Sequence, residues 1–420
     1  MSQDWLRAGV LSGFVCWLTV FPLSGQAGDM LWFLVPHAVG LLLLAATLDH
    51  RGFHMARRIG AVGCVIVGIV FVPMADSAAS AMLVLLGLLS APVSIQMGVL
   101  LRAARSRTLT AAVGLAGGNI LAVLIAFSTL GSELVYPLLS LSLFLALTLP
   151  GAGLRRTAGA ITILRVFLPF IFGFQMVSGL MYGSLMPAYA IQATWPGLEL
   201  FAYVAGTMGA VWLFRQSQGL TLLIGVVSAL SGFALWLILA EPLSIYLAMM
   251  LMLVAAGVID LFLLALIVSL PGQIRAYGYG FGVLCAGIVA GRLLGLLLGD
   301  NAGMIGFSGL ILLNIAVICL FLPWSSLSTR SPSRRQAYSP EGMVERSDRL
   351  DPEVSARLSG REQRVLELAL NDMTYRQIGE AMEISESSVK TYMQRIFRKT
   401  GLVRRHQLDQ LLVPQPSDPD

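Results

Sequence analysis

The sequence predicts an all-α fold: a polytopic helical membrane domain with twelve spans in two six-helix halves, followed by a small soluble four-helix domain. Hydrophobic residues make up 56% of the chain and charged residues only 12%, about half of the usual charged share. The apolar character is almost unbroken up to residue 324, after which Ser, Pro, Arg, Asp and Glu dominate. Closely spaced helix-start signals near the carboxyl end predict the soluble domain.

Each predicted span is an apolar run close to the roughly 20 residues that a helix needs to cross a bilayer. The runs lie at residues 8–24, 30–48, 59–75, 79–101, 109–130, 134–150, 163–185, 197–214, 219–240, 243–270, 278–299 and 303–322. A break at residues 151–162 separates the first six runs from the last six, and this break predicts the two halves.

The arginines of this region predict its orientation in the membrane. Apart from Arg292, they occur in the amino-terminal tail and in every second loop, at positions 7, 51, 57, 58, 102, 105, 107, 155, 156, 165, 215 and 275. The intervening loops hold acidic residues but neither Lys nor Arg. Because positive residues stay on the cytoplasmic side during insertion, we expect a multi-pass protein of the bacterial cytoplasmic membrane with both termini in the cytoplasm.

The four cysteines predict neither disulfides nor a zinc site. Cys16, Cys64, Cys285 and Cys319 are scattered through the predicted spans, without a CxxC or Cys/His spacing. We therefore expect no bound metal. We also expect no cofactor and no enzymatic activity, because the function favoured below is that of a regulator.

One loop motif points to a known family of membrane proteins. The loop after the second run contains Asp49, Arg51 and Gly52, followed by the pair Arg57 and Arg58. With twelve spans in two halves, this motif resembles the major facilitator superfamily, in which the loop signature latches the cytoplasmic gate. The resemblance implies a cavity for a small molecule between the halves. An ordinary arginine-rich inner loop is the alternative interpretation of the motif.

Two charged residues lie deep inside predicted spans, where charges are costly. Asp260 is in the tenth span and Arg292 in the eleventh, offset along the membrane normal by about 6 Å at 1.5 Å per residue. We expect them either to form a structural ion pair or to belong to a ligand or proton site. Further polar candidates for a ligand site inside the spans are His37, Asn119 and Gln175.

Glycines recur every four residues along the eleventh span, at Gly287, Gly291, Gly295 and Gly299. Small residues at this spacing let two helix backbones approach closely. The repeat therefore predicts a packing surface and not a ligand site.

The predicted membrane domain covers residues 1–324, and the composition changes after it. Residues 325–353 are rich in Ser, Pro and charged residues with little to bury, which predicts a disordered linker. The soluble domain is expected at residues 354–413, and residues 414–420 form a short tail.

Capping signals divide the soluble domain into four helices. Ser359 with Glu362, and Thr374 with Gln377, have the spacing of capping boxes, and Ser385 opens a third helix. A fourth helix is expected from about residue 404 to residue 412. Apolar positions recur at intervals of three or four and predict a small core of Val365, Leu366, Leu368, Ala369, Ile378, Ala381, Met382, Ile384, Val389, Met393, Ile396, Phe397, Leu402, Leu408, Leu411 and Leu412.

This segment resembles the LuxR/NarL/FixJ type of helix-turn-helix DNA-binding domain. The matching residues are Leu358, Ser359, Arg361, Glu362, Val365, Leu366, Leu368, Gln377, Ile378, Ile384, Ser385, Ser388, Val389, Lys390, Thr391, Ile396, Lys399 and Gly401. Asp372, Tyr392 and Thr400 depart from the usual Gly, His and Leu, which bears on base preference more than on fold. The predicted membrane domain stands where that family commonly has a receiver or autoinducer domain.

The resemblance implies that the third helix enters the major groove of double-stranded DNA, with Lys390, Thr391 and Gln394 contacting bases. Phosphate contacts are then expected from Thr374, Arg376, Gln377, Ser387, Ser388, Arg395 and Arg398. The resemblance also implies a homodimer through the fourth helix. The alternative is a basic amphipathic helix that only faces solvent.

Two functions agree with this organisation. In the first, the protein is a membrane-embedded one-component transcriptional regulator that senses an unknown small molecule and binds promoter DNA. In the second, it is a transporter of the major facilitator type with an attached regulatory DNA-binding domain. A third class, an adaptor that uses the helix-turn-helix fold to bind proteins, is less favoured; it would be supported if residues 326–420, forced to dimerise, bound no DNA from the promoters beside the protein's own gene.

Overall fold

The computed structural model describes residues 3–24, 29–47, 50–151, 160–193, 197–238, 241–270, 273–299, 301–329, 352–370, 373, 375–382, 384–402, 408 and 411. Every regular element within these residues is a helix, which confirms the predicted all-α fold class. The chain divides into two compact units, Met1–Trp324 and Ser325–Asp420.

The helices that begin in the longer unit follow the predicted apolar runs in order. They are α1 (Gln3–Val20), α2 (Leu31–Thr47), α3 (His50–Arg102), α4 (Arg107–Ala126), α5 (Ser132–Ser142), α6 (Leu145–Thr148), α7 (Ala160–Leu180), α8 (Met186–Gln192), α9 (Leu200–Gln216), α10 (Gln218–Ile238), α11 (Pro242–Ser269), α12 (Gln273–Leu298) and α13 (Ala302–Thr329). A π-helical segment, Met181–Leu185, joins α7 to α8. The last helix continues past Trp324, so its end lies within the stretch predicted as linker.

Helices in this unit are long and apolar enough to cross a membrane. Within the described residues, 7 segments meet that standard: Gly52–Met74, Ala78–Arg102, Arg107–Ala126, Leu164–Gln192, Gln218–Ile238, Pro242–Ser269 and Ile274–Leu298. Leu31–Thr47, Ser132–Thr148 and Gly303–Cys319 are shorter apolar helices. The unit is a multi-pass membrane domain, and the full count of twelve crossings stays a prediction.

The outer surface of this domain is apolar, as a bilayer requires. Leu124, Trp212 and Leu297 are 61%, 62% and 84% exposed, and many other large apolar side chains accompany them. Soluble proteins rarely expose contiguous apolar surface on this scale. The surface therefore fits lipid and not water.

Helix α3 contains two of the predicted spans and folds back on itself. Its 53 residues would extend about 80 Å as a straight helix, far beyond the roughly 30 Å of a hydrocarbon core. A Cβ atom added at Gly60 would instead overlap the carbonyl oxygen of Leu89 and would meet Pro92. The amino-terminal part of α3 thus packs against its carboxyl-terminal part, as two neighbouring spans do.

The packing of the helices has the pattern of a repeated unit. Helix α1 packs against α4 in the first half, and α7 packs against α12 in the second half. Between the halves, α2 packs against α12 and α4 against α9. In span order these pairs are one with five, seven with eleven, two with eleven and five with eight. Adding six to each span number turns the contact of one with five into that of seven with eleven. In the same way, the contact of two with eleven becomes that of eight with five, as expected for two halves related by a two-fold axis.

The glycine repeat of α12 is a packing surface, as predicted, for three of its four members. Cβ atoms added at Gly287 and Gly291 would meet the carbonyl oxygens of Phe172 and Met176, and one at Gly295 would lie 3.2 Å from Ser184 Oγ. Helices α7 and α12 therefore approach backbone to backbone. The fourth member, Gly299, has a φ of 61° and no neighbour within 4 Å, so it ends the helix instead of packing.

The shorter unit contains α14 (Pro352–Arg357), α15 (Gly360–Leu370), α16 (Tyr375–Met382) and α17 (Glu386–Thr400). Its core is the predicted one at most described positions, with Val365, Leu366, Val389 and Ile396 fully enclosed. Ala381 was expected in this core but is exposed, so that prediction is wrong.

Parts of the soluble-domain prediction lie outside the described residues. These are Thr374 with its capping box, Leu412, and most of the expected fourth helix, of which Leu408 and Leu411 are described and buried. Helix α14 was not predicted, and it starts within the end of the expected linker.

Replacing Gly291 with Ala is expected to destabilise the membrane domain. The added methyl group would overlap the carbonyl oxygen of Met176, and overpacking of this kind costs about 1–3 kcal/mol. The thermal midpoint of the purified protein in detergent should therefore fall. Gly209→Ala is the matched control, because a methyl group there meets nothing within 4 Å and raises helix propensity. Equal midpoints for the two variants would contradict the close approach of α7 and α12.

Candidate functional site

The membrane domain contains a partly open cavity of about 720 Å³ between its two halves. Helices α1 to α5 of the first half, and the π-helical segment with α8, α9, α11 and α12 of the second half, supply its wall. Three of the predicted ligand-site residues line it: His37, Asn119 and Asp260. Gln175 and Arg292 were predicted with them and are not among the described lining residues, although both act on the wall through hydrogen bonds.

Asp260 is held by two neutral donors. Gln175 Nε2 donates to Asp260 Oδ1 at 3.2 Å, and the Tyr203 hydroxyl donates to Asp260 Oδ2 at 3.1 Å. The ion pair considered between Asp260 and Arg292 does not occur among the described residues, so that expectation is wrong. The guanidinium of Arg292 points to a different partner.

Arg292 supports the π-helical segment. Its Nη1 donates to the carbonyl oxygen of Gly183 at 2.9 Å, while its Nε is buried without a partner. A π-turn breaks the regular hydrogen-bond pattern of an α-helix and leaves a carbonyl group that needs another donor. The arginine supplies that donor to the segment that brings Tyr182 to the cavity wall.

His37 is buried in a cluster of neutral groups of the first half. Its Nδ1 lies 3.0 Å from the carbonyl oxygen of Gly87, and its Nε2 lies 3.2 Å from Ser94 Oγ. A carbonyl only accepts hydrogen bonds, so Nδ1 carries a proton in this arrangement and donates to Gly87. Ser90 Oγ lies 2.9 Å from Nδ1 and completes the cluster. Both ring nitrogens therefore have hydrogen-bond partners among neutral groups.

Asn119 uses its side chain locally. Its Nδ2 donates to the carbonyl oxygen of Leu115 on the same helix at 2.9 Å, and the residue is otherwise part of the cavity wall.

Sequence reasoning did not single out Tyr203, Ser90 or Ser94. Each is an ordinary residue for a membrane helix, and only the packing of distant helices brings it to a candidate residue.

In the soluble domain, helix α17 is positioned by signals at both of its ends. The backbone N–H of Ser388 donates to Ser385 Oγ at 3.1 Å, as predicted for the cap. Gly401 has a φ of 75° and ends the helix in the left-handed conformation. The turn before α17 is tight, because a Cβ atom added at Gly379 would lie 2.7 Å from the carbonyl oxygen of Ile384.

One face of α17 is open to solvent and the other is buried. Val389, Met393 and Ile396 face the core. The exposed face holds the residues predicted to contact DNA: Ser387, Lys390, Thr391, Gln394, Arg395 and Arg398, with Ser388 half-buried at its edge. The side chains of Arg376 and Gln377 on α16, like Thr374, lie outside the described residues.

The basic residues Lys390 and Arg395 of this face form only weak interactions within the domain. Lys390 Nζ lies 2.8 Å from Glu386 Oε1, and both side chains are about half exposed. An exposed pair of this kind contributes about 0.3–0.5 kcal/mol, so the lysine exchanges partners at little cost. The guanidinium of Arg395 stacks over the ring of Tyr392 at 5.9 Å.

Comparison with protein families assigns this module. Residues 356–411 match the family described as bacterial regulatory proteins, luxR family. The chain carries a LuxR-family helix-turn-helix domain. This confirms the resemblance found in the sequence and makes the soluble part a DNA-binding domain of the kind used in transcription regulation.

Comparison with solved structures covers the rest of the chain. A crystal structure of a variant of the nucleoside transporter NupG aligns with a TM-score of 0.45 and 15% sequence identity, over 76% of this chain and 96% of that chain. No curated protein matches the sequence.

The buried carboxylate of Glu362 connects two helices of the LuxR-family domain. Glu362 accepts from the backbone N–H of Ser359 at 2.8 Å, and Ser359 Oγ accepts from the N–H of Glu362, which completes the predicted capping box. Lys399 Nζ also donates to Glu362 at 2.6 Å and so ties α17 to α15. The Lys399 ammonium, followed by the Ser359 amide, lowers the pKa of the Glu362 carboxyl to about 2.

Glu362→Gln is expected to destabilise the LuxR-family domain in a pH-dependent way. A carboxyl whose pKa is lower in the folded state stabilises the fold above its unfolded pKa and loses that contribution as the pH falls toward the folded value. The difference in unfolding free energy from the wild type should therefore be largest at neutral pH and shrink between about pH 4.5 and pH 2. Urea unfolding of a fragment with residues 325–420, followed by circular dichroism, measures this difference.

Glu367→Gln is the matched control for this prediction. Glu367 pairs with Arg364 at 2.9 Å on the exposed side of the same helix, where an ion pair contributes little. The stabilising role of the Glu362 carboxylate would be contradicted if the loss of unfolding free energy in Glu362→Gln were independent of pH, or no larger than that of the control.

Proposed function

We propose that this protein is a membrane-embedded one-component transcriptional regulator without enzymatic activity. The membrane domain senses a small molecule, and the cytoplasmic LuxR-family domain binds promoter DNA. The observation that supports this most strongly is that a single polypeptide contains a LuxR-family domain and a multi-pass membrane domain with a cavity between its halves. Because the proposed sensing domain and the DNA-binding domain are parts of one chain, no diffusing messenger is needed between them.

The distribution of arginines supports the cytoplasmic membrane of a bacterium as the location. Arginines occur in alternate loops, including the loop that begins after Arg102, and the loops between them are acidic. This pattern favours cytoplasmic positions for both ends of the membrane domain. The DNA-binding domain would then lie in the compartment that holds the chromosome, joined through the linker proposed at residues 325–353.

The proposed DNA contacts divide into two classes. Lys390, Thr391 and Gln394 contact base edges, since Lys suits the guanine acceptors, Gln suits adenine and the Thr methyl group suits thymine. The residues proposed to hold phosphates are Thr374, Arg376, Gln377, Ser387, Ser388, Arg395 and Arg398. Two copies joined through the last helix of the domain would place two such helices on a two-fold symmetric site.

Coupling requires the ligand to favour one arrangement of the halves over another. A contact between the halves, made by residues that do not themselves line the cavity, supports such a mechanism. Arg102, at the end of α3 in the first half, donates to the carbonyl oxygens of Val268 and Leu270 at the end of α11 in the second half. A cation at a helix carboxyl terminus is stabilising, so this contact favours the arrangement in which the two ends meet. We propose that ligand binding changes how often it forms.

The double substitution Lys390→Ala and Gln394→Ala is expected to abolish regulation and to leave membrane insertion intact. Both side chains lie on the exposed face of α17, and each contact with a base contributes about 1–3 kcal/mol of discrimination. Transcript profiling compares a strain that carries the variant with the wild type and with a deletion strain. The variant should reproduce the transcript profile of the deletion strain.

Arg364→Ala is the matched control, because it removes an exposed basic side chain from α15, away from the recognition helix. The control should keep normal transcript levels. Unchanged target expression in the double variant, at normal protein abundance in the membrane, would refute the assignment of α17 as the recognition helix.

Arg102→Gln is expected to change target expression in the absence of any added compound. Loss of a charge at a helix carboxyl terminus costs about 1 kcal/mol, which shifts a two-state equilibrium about fivefold. Arg105→Gln removes a neighbouring arginine whose side chain is exposed, and it should leave expression unchanged. The same small effect of both substitutions on a promoter reporter would contradict a role for the contact between α3 and α11.

A further inference from the structure

We propose that the ligand of the cavity is an organic cation with an apolar body, whose ammonium group pairs with Asp260. This inference rests on the proposed function in taking the cavity as the sensing site. It goes further by fixing the charge and the general shape of the molecule that is sensed.

The charge of the cavity wall is the first argument. Asp260 and Glu199 are the charged residues among its described lining residues, and neither Lys nor Arg occurs in that set. Glu199 also has neutral donors, because its Oε2 accepts from the backbone N–H of Gly197 at 2.7 Å and from the Tyr189 hydroxyl at 3.3 Å. It differs from Asp260 in its position: it stands at the amino-terminal end of α9, where the helix dipole stabilises a negative charge, whereas Asp260 lies inside α11. An anionic ligand would meet carboxylates without a compensating cation.

The environment of Asp260 is the second argument. Tyr203 and Gln175 are 7% and 2% exposed, and each donates one hydrogen bond to the carboxylate. These neutral donors fix the positions of both oxygens but leave the net charge without a counter-ion. Arg292, the other charge predicted deep in the spans, is directed to the carbonyl oxygen of Gly183. Asp260 is half-buried and lines the cavity, so a ligand that displaces water from it leaves its charge in need of a counter-ion, which a cationic ligand supplies.

The rest of the wall suits the apolar body of such a ligand. The aromatic rings of Phe14, Tyr136, Tyr182 and Phe281 line the cavity together with many aliphatic side chains. Aromatic faces attract cations, and apolar surface favours an apolar body. The volume of about 720 Å³ lies within the range of roughly 300–1,000 Å³ that is common for small-molecule sites.

The two halves contribute different chemistry to the cavity. The carboxylate belongs to the second half, whereas the first half presents the neutral cluster of His37 and Ser94. A ligand anchored on Asp260 that extends across the cavity would contact both halves. The length of such a ligand would then affect the arrangement of the two halves relative to each other. This connects the ligand class to the proposed coupling.

Three probes with one apolar body test the charge preference: diphenylbutylamine, diphenylbutanol and diphenylbutanoate. Each is titrated into the full-length protein in lipid nanodiscs at neutral pH by calorimetry, and binding to empty nanodiscs is subtracted. A hydrogen-bonded charge pair in a partly buried site should make the amine bind at least about tenfold more tightly than the alcohol. The acid should bind more weakly than the alcohol. Equal binding of the amine and the alcohol, stronger binding of the acid, or no binding of the amine would overturn the proposal.

Asp260→Asn identifies the residue responsible for the preference. The substitution keeps the size of the side chain and removes its charge, so the amine should bind no more tightly than the alcohol. Asp29→Asn is the matched control, because it removes an exposed carboxylate whose Oδ1 accepts from the backbone N–H of Leu31 at the start of α2. The control should retain the preference for the amine, and an unchanged preference in Asp260→Asn would also overturn the assignment. The comparison of the three probes in the wild type needs no variant to fold.

The outcome separates the ligand class from the proposed function. If the amine is preferred but does not change target expression, the ligand class holds and the sensing function fails. If the double substitution on α17 abolishes regulation but no probe shows a preference for positive charge, the regulator stands and the ligand class is wrong.

Discussion

A charge in the hydrocarbon core of a bilayer is costly, and the membrane domain is built around the two that were predicted deep in its spans. Asp260 receives hydrogen bonds from two neutral side chains, and Arg292 donates to a backbone carbonyl. A simpler solution would have paired the two residues and removed both charges. Because they are kept apart, one carboxylate stays at the cavity wall with its charge uncompensated.

The separation of these charges depends on irregular backbone and on small residues. The π-helical segment Met181–Leu185 provides the carbonyl group that Arg292 binds, and it brings Tyr182 to the cavity. The approach of α7 to α12 is close enough for this contact because Gly287 and Gly291 carry no side chain. The packing of α7 against α12 and the geometry of the candidate site therefore depend on each other, and a substitution in the glycine repeat would affect both.

The sequence predicted those features that depend on local rules. Apolar runs predicted the helices because the thickness of the bilayer sets their length, and capping residues such as Ser359 and Ser385 predicted where helices begin. The partners of Asp260 were not predictable, because Gln175 and Tyr203 lie 85 and 57 residues away in the chain. Ala381 was misplaced for a related reason: its small side chain gains little free energy by burial, so its neighbours decide on which side it lies.

The ion pairs of the LuxR-family domain have one more consequence, for chemical labelling. Lys390 and Lys399 are the two lysines of the whole chain, and all its other basic side chains are arginine or histidine. Reagents that acylate lysine side chains will therefore modify this domain and leave the side chains of the membrane domain untouched. Since Lys399 is engaged with a buried carboxylate and Lys390 with an exposed one, Lys390 should react first. A fluorophore attached in this way would sit on the surface proposed to face the duplex and would respond when that surface is covered.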